Sequence, residues 1–535
     1  MTFDLAIENA RIVDGTGTPW FRGHVAVADG EIARISRAAN PEFDADRTID
    51  AGETILCPGF VDAHSHSDLE LFAGPTLEPK IRQGITTEIL GQDGFSMGPI
   101  YREGGPEQFA AYLRGLAGTL EREWSWNSLG EYLDEVEANG VAPNVATLVG
   151  HGTVRFEVLG MEDATPTESE LEEMADLVAE GLEDGAVGFS TGLVYTPQVY
   201  AETDEVRRLA SELAPHGRPF VAHIRSESRG IWEALDEFVD IGAETGVPLH
   251  LSHFKVAGKA QHGKADRALE LVEAARERGV DFTAEQYPYA AGCTMLSSVL
   301  PPWVDAEDAD ETLALLEDPK VRERIARDIE EDRIDGWENS VGTNGWETIR
   351  VTNLDSDEFA DVEGQTVAEI AADSGLDPVN VVCEILLAEE LEASMTVHVM
   401  DEADVRTIME SERVGVGTDG LFGGNPHPRV YGTYPRILGH YVREENLFTL
   451  EEAIRKMTSL PARSMGLNSK GIIREGMDAD LVVFDPEIVS TSATYENPRR
   501  FPTGIDHVIV GGEPVVEDSE TTGALPGDVI RAGES

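Results

Sequence analysis

Hydrophobic and polar positions alternate in two textures along this chain. Near the N-terminus, residues 5–13, 24–27 and 32–35 read as short strands. Asp14-Gly15 and Asp29-Gly30 punctuate them, and an Asp-Gly pair between alternating apolar positions is a strong hairpin signal. From about residue 470 the same texture returns in Gly471-Ile472-Ile473, Asp480-Leu481-Val482-Val483-Phe484 and His507-Val508-Ile509-Val510-Gly511-Gly512. Two β-rich ends around a different middle predict one small β-sandwich domain assembled from residues 1–57 and 468–535.

The middle alternates strand-like runs with helical stripes. The runs are 60–66, 85–90, 145–149, 186–190, 220–224, 249–254, 280–286 and 414–418. Leu171, Met174, Ala175, Val178 and Leu182 fall on one helical face, and residues 204–213, 231–243 and 265–278 also read as helices. Tandem helix–Gly–strand units are the pattern of parallel βα repeats with right-handed crossovers. The expected fold is therefore α/β, a (β/α)8 barrel over residues 58–467. Gln286 and Val414 are about 130 residues apart, too far for an ordinary βα connection. Acidic helical sequence around 308–332 and strand-like pieces at 349–351 and 395–399 predict an insertion at about 288–400 packed over the barrel mouth. Thr396-Val397-His398-Val399 also stands open as a barrel strand. No low-complexity linker interrupts the chain, so one compact body is expected.

Charge narrows the functional classes. Asp and Glu number 101 against 41 Lys and Arg, a formal net charge of −60. Such a field repels phosphate backbones and anionic membranes, which argues against nucleic-acid or lipid-surface binding. Lysine is confined to Lys80, Lys255, Lys259, Lys264, Lys320, Lys456 and Lys470. Self-repulsion of this size is screened only in concentrated salt, where the Debye length falls to about 3 Å at 1 M, and the composition looks like that of a salt-in halophile. No stretch approaches the roughly 20 apolar residues of a membrane span. Residues 1–8 lack a basic region followed by an apolar run, so a soluble cytoplasmic protein is expected. Cys57, Cys293 and Cys383 lie far apart, with neither a disulfide framework nor a thiolate zinc knuckle among them.

The chemistry gathers at the predicted strand ends. In a barrel of this type, side chains at the C-terminal ends of strands face the active site. Reading those ends in order gives His64 and His66, then Asp93, His151, His223, His253 and Asp419. A bare His-x-His is a weak signal, but imidazoles and carboxylates in matching places of successive repeats form the ligand set of a catalytic zinc-type site. His151, flanked by glycines, reads either as a substrate contact or as a support for the site, and is not counted among the ligands.

At this point the chain resembles the metal-dependent amidohydrolase superfamily, and within it the D-aminoacylase (N-acyl-D-amino-acid deacylase) family. The resemblance rests on Pro58-Gly59-Phe60-Val61-Asp62-Ala63-His64-Ser65-His66, Gln83-Gly84-Ile85-Thr86-Thr87, Gly192-Leu193-Val194-Tyr195-Thr196-Pro197, His223-Ile224-Arg225-Ser226-Glu227 and His250-Leu251-Ser252-His253-Phe254-Lys255. It continues in Gly417-Thr418-Asp419-Gly420, in His427-Pro428-Arg429-Val430-Tyr431-Gly432-Thr433-Tyr434-Pro435-Arg436, and from Gly476 to Gly527, covering nearly the whole chain. It implies a β-sandwich from both ends, a barrel with a mouth insertion, and one or two Zn2+ ions, with other divalent metals open. His64, His66, Asp93, His223, His253 and Asp419 are the implied ligands. Two departures matter. No lysine lies between Lys80 and Lys255, which excludes the carbamylated lysine that bridges two metals on strand four of many superfamily members. The family's cysteine after strand two, in a Gly-x-Cys-Gly setting, is replaced in Gly91-Gln92-Asp93-Gly94 by aspartate, a harder donor than thiolate.

The expected reaction is hydrolysis of an N-acyl-D-amino acid to a carboxylate and a free D-amino acid. Asp419 is the expected general base and then general acid. Lys255 is the first candidate for the substrate carboxylate, and the resemblance adds Tyr195 and Tyr287. The competing activity is a cyclic-amide hydrolase of the hydantoinase or dihydroorotase type, and the competing class is a non-catalytic scaffold. The sequence leaves D against L preference to the resemblance, and leaves the side chain, acyl group and oligomeric state open.

Overall fold

The computed structural model describes residues 2–533 except Asn40, Glu42, Glu53, Glu121, residues 306–308, Arg333, Asp335 and Asp355. Both chain ends enter one nine-stranded sheet. Strand Phe3–Ile12 is its branch point. It pairs antiparallel with Phe21–Ala28, parallel with Ala45–Asp50 along its first half, and parallel with Ile55–Pro58 at its end. Ile55–Pro58 pairs with Leu481–Phe484, which passes the sheet on to Ile505–Val510 and Glu513–Glu517. The Asp29-Gly30 hairpin forms as read, with both residues at positive φ (52° and 77°), the geometry of a type I′ turn. Its tip donates and accepts across the sheet's other limb: Ala479 N–H donates to Gly30 O at 2.8 Å, and Ile32 N–H to Met477 O at 2.8 Å. The sheet thus folds over a core of Leu5, Ile7, Val25, Ile32, Leu481 and Ile509.

Three local readings change. Ala45–Asp50 is a strand that its polar composition conceals. Gly471-Ile472-Ile473 is not a strand, although Ile473 N–H donates to Asp14 O at 3.0 Å. The chain's end, grouped with this sheet by texture, leaves it. Val529 bridges Val145, and Ala532 N–H donates to Gly185 O at 2.8 Å, so residues 527–532 run along the barrel.

Eight parallel strand segments follow one another around the barrel. Phe60–Asp62, Ile85–Leu90 and Asn144–Thr147 pair in sequence. The third continues past Leu148 as Val149–Gly150, which pairs with Phe189–Gly192. Phe220–His223, Leu249–Leu251, Phe282–Gln286 and Val414–Val416 complete the order. A parallel bridge between Ser65 and Gly420, with Asp419 N–H donating to His64 O at 2.8 Å, joins the last strand to the first. The helices between strands are built conventionally. Helix Glu168–Glu183 begins at a Thr167/Glu170 capping box and buries Met174, Val178 and Leu182 along one face, and such a cap is worth about 1 kcal/mol.

Residues between Gln286 and about 400 form the insertion. The run Thr396–Val399, open as a barrel strand, has its first three residues instead in Ser394–His398, the centre of a three-stranded antiparallel sheet with Ala291–Met295 and Ile349–Thr352. The acidic helical reading is met by helices Ala309–Glu317 and Pro319–Glu331; Asp308, where it started, lies outside the described residues. Leu296, Val304, Leu316, Ile325, Val382 and Leu386 give the insertion a core of its own. Among the described residues no helix is long and apolar enough to cross a membrane.

One half-buried acid marks the junction of insertion and barrel. Thr196 Oγ1 donates to Asp305 Oδ2 at 2.7 Å, and burial pushes this carboxyl up to about 7. A carboxylic acid whose folded pKa is raised loses stability as the pH climbs from its unfolded value, about 4, through the folded one. Asp305→Asn is expected to stabilise the protein by about 1–3 kcal/mol at pH 8, with a smaller gain at pH 5. Denaturation at the two pH values in molar salt measures the difference.

Candidate metal centre and active site

The barrel's C-terminal rim brings the six predicted ligands together. His64 and His66 lie just past the end of Phe60–Asp62 rather than within the strand, as does His253 beyond Leu249–Leu251. Asp93 (φ 55°), His253 (φ 36°) and Asp419 (φ 49°) are left-handed, a conformation that costs a non-glycine residue about 1–2 kcal/mol and is concentrated at functional sites.

Two sets of ligand atoms share Asp93: His64, His66, Asp93 and Asp419 form one, and Asp93, His223 and His253 the other. His64 Nε2 lies 3.3 Å from His66 Nε2 and 3.6 Å from both Asp93 Oδ1 and Asp419 Oδ1. His66 Nε2 is 3.3 Å from Asp419 Oδ1 and 3.6 Å from Asp93 Oδ2. On the other side, Asp93 Oδ1 lies 3.5 Å from His253 Nε2 and 3.7 Å from His223 Nδ1, and those two nitrogens are 3.1 Å apart. Donors about 2.0–2.1 Å from a tetrahedral zinc stand roughly 3.3–3.4 Å from one another, so the spacing fits. Asp93 Oδ1 is also buried without a hydrogen-bond partner. An orphaned carboxylate oxygen between two histidine pairs calls for a cation.

The electrostatics agree. Burial lowers the His64 pKa, but the Asp93 and Asp419 carboxylates outweigh it and push it up to about 9. Burial raises the Asp93 carboxyl, yet the surrounding imidazoles, His64 with His223 and His253, hold it well below the carboxylate range. Each acid here favours positive charge beside it.

The Asp93 turn is shaped by its neighbours. Gly91 (φ 69°) and Gly94 (φ 78°) flank it. A Cβ on Gly94 would lie 2.0 Å from Gln198 Oε1. Gln198 accepts from Gly192 N–H at 2.7 Å and donates to Asp93 O at 2.9 Å. Beneath the site, Lys80 Nζ donates to Asp62 Oδ2 (2.7 Å), Ser65 Oγ (2.8 Å) and Thr418 Oγ1 (2.9 Å). This clamps the first strand's end to the last, where His64 and Asp419 begin.

Outer partners orient the histidines. Glu285, at the end of the seventh strand, accepts from His64 Nδ1 at 2.9 Å and from His253 N–H at 2.6 Å. That leaves His64 Nε2 free for a metal, the usual arrangement of a carboxylate behind a ligating histidine. Glu227 lies 3.0 Å from His253 Nδ1 and accepts from Lys255 Nζ at 2.5 Å. Arg429 Nη1 is ion-paired to Asp419 Oδ2 at 2.7 Å. Glu227, Glu285, Gln198 and Arg429 received no role from the sequence. Glu285 was accessible to the same strand-end rule that found the histidines, and Glu227 and Arg429 lie inside the quoted motifs.

Of the residues expected around the substrate, Lys255, Tyr195 and Tyr287 all line a cleft of about 120 Å³ that also exposes Asp93, His223, His253 and Asp419. The Tyr195 hydroxyl is engaged with Thr294 Oγ1 at 2.9 Å, whereas the buried Tyr287 hydroxyl has no partner among the described residues. His151 stands outside both ligand sets. Its Nε2 is 2.8 Å from Glu205, which also accepts from Arg155 at 2.5 Å. A larger hollow of about 480 Å³ lies behind Ser226 and Glu338. Its Arg225 and Arg229 are paired with Glu237 and Asp332, and none of the six predicted ligands lines it.

Residues 47–516 match the Amidohydrolase family. The chain belongs to the amidohydrolase family. It is 34% identical to a D-aminoacylase of Alcaligenes xylosoxydans xylosoxydans over 529 residues, covering 99% of this chain and 97% of the relative. It is 35% identical to an N-acyl-D-glutamate deacylase of the same organism, covering 99% and 97%. Among solved structures, this amidohydrolase resembles an N-acyl-D-glutamate deacylase from Bordetella bronchiseptica bound to zinc and a phosphonate mimic of the tetrahedral intermediate. That likeness has a TM-score of 0.84 at 33% identity and covers 99% of this chain and 100% of the other.

Proposed function

We propose that the chain is a zinc-dependent N-acyl-D-amino-acid deacylase. The full-length likeness to D-aminoacylase carries this reading, and the Asp93-centred donor set supplies its chemistry. His64, His66, Asp93 and Asp419 would hold one ion, and Asp93, His223 and His253 a second. Zinc bound there supplies a Lewis acid for the acyl carbonyl and acidifies a water.

The chain's own residues do the rest. Asp419 takes a proton from the water that attacks the acyl carbon and returns it to the amide nitrogen, so the C–N bond breaks and a neutral amine leaves. Arg429 fixes Asp419 through Oδ2, which leaves Oδ1 toward His64 and His66. Glu285 keeps His64 in the tautomer a metal requires. Lys255 and the free hydroxyl of Tyr287 receive the substrate carboxylate, with Tyr195 as part of the same wall. A hydrogen bond to a charged group is worth about 1.5–3 kcal/mol, so Tyr287→Phe is expected to raise KM about tenfold or more with a smaller change in kcat. Initial rates over a range of substrate concentrations separate the two.

The reading is tested with zinc-loaded protein in molar salt. Amine release from N-acetyl-D-amino acids, with little from the L enantiomers, is expected. Turnover of hydantoins alone would replace this reading with a cyclic-amide hydrolase.

A further inference from the structure

One of the two relatives is named for D-glutamate and the other for no particular amino acid, and near-equal identities to both leave the leaving group's side chain open. The cleft is more informative. Beyond the ligand candidates and Lys255 it is lined by the polar Ser228, Glu338, Ser340 and Asn344 and by the apolar Met395, Val397 and Val399.

The polar residues are rich in acceptors. Glu338 accepts from Ser228 Oγ, and among the described residues no cation reaches it within ion-pair distance. The nearest candidates are committed elsewhere: Arg229 to Asp332, Lys259 to Glu347, and Lys255 to Glu227. Asn344 is 7% exposed. Its Nδ2 donates to Ser340 O at 3.3 Å, while its Oδ1 is buried with no partner. Glu338 has hydroxyl donors but no cation, Asn344 Oδ1 has no donor, and Met395, Val397 and Val399 line the same cleft, so the fitting group has an aliphatic stem and a donor-rich cationic head. A carboxylate placed there meets Glu338 and an amide oxygen, and neither can donate to it.

Position selects which part of the substrate this is. Lys255, the proposed carboxylate anchor, is bonded to Glu227, one residue before Ser228. An amino acid's side chain and carboxylate leave the same carbon, so the subsite beside Lys255 receives the side chain. Resting on the deacylase reading, we infer that Glu338 and Asn344 form a cation-accepting side-chain subsite, and that the enzyme acts on N-acyl-D-amino acids with basic side chains in preference to acidic ones.

The experiment compares kcat/KM for N-acetyl-D-lysine, N-acetyl-D-methionine and N-acetyl-D-glutamate in the zinc-loaded enzyme at one fixed salt concentration. The wild type is expected to favour lysine over glutamate by at least about tenfold, the size of one charge-assisted hydrogen bond. Glu338→Gln should shrink that ratio about tenfold, and Asn344→Ala, which removes the second acceptor, should shift it the same way if the first variant does not fold. A wild-type ratio near one, or a ratio unmoved in both folded variants, would overturn the inference while leaving the deacylase reading intact. Release of amine from none of the three substrates would overturn the deacylase reading and this inference with it.

Discussion

Asp419→Asn is expected to lower kcat about 10³-fold, within the 10²–10⁴ range of a positioned general acid–base group, while bound zinc stays near the wild-type amount. Asparagine is the substitution that isolates the proton-transfer role. It keeps the shape and one oxygen near His64 and His66, and it tolerates the left-handed backbone that residue 419 adopts. It cannot take a proton. Its Arg429 partner would lose its countercharge, so some loss of thermal stability accompanies the change, and folding must be checked alongside the rate. Single-turnover amine release with zinc measured on the same sample is the required readout. A rate within tenfold of wild type at full zinc occupancy would remove Asp419 from the base role.

Asp93→Asn is the second large effect. Asparagine again tolerates the positive φ, but a neutral amide oxygen is a poor bridge between His64 and His66 on one side and His223 and His253 on the other. Even partners that only support a ligand are worth about 10–100-fold in metal affinity, so loss of the shared ligand should weaken zinc binding by more than about 10²-fold and reduce activity in parallel. Asp93→Cys has the opposite sign. A thiolate is a softer donor that suits zinc, so this variant should keep its zinc longer than wild type when challenged with a chelator. Zinc retention against chelator, read on wild type and both variants, orders them Cys, Asp, Asn; an Asn variant that retains zinc as wild type does would mean that Asp93 is a turn residue only.

Much of this site could be read before the structure, because a barrel converts sequence order into spatial convergence. The helix–Gly–strand rhythm fixed the repeats, and the rule that strand ends face the site placed His64, Asp93, His223, His253 and Asp419 near one another without any distance. The strands themselves end earlier than their apolar runs, since Asp62 and Leu251 close the ladders and the ligands follow in turns. Two kinds of feature escaped. Ala45–Asp50 is polar at most positions, and its strand state comes from pairing with Phe3–Glu8, a long-range contact that periodicity cannot register. Glu227, Gln198 and Arg429 act through another side chain or a backbone carbonyl, and such roles depend on angle and distance rather than spacing. The Glu338 and Asn344 acceptors lie in the insertion, where no repeat sets a register.

The charge of −60 bears on every measurement, since exposed acids repel one another until salt screens them. Assays therefore belong in molar salt, with metal controlled separately. The most direct test of the account is a zinc titration of metal-free protein under those conditions, following amine release from N-acetyl-D-methionine. The predicted result is no release without metal and a rate that rises with zinc to saturation. Full activity in the metal-free protein, or none at any zinc concentration in a protein that binds it, would contradict the account.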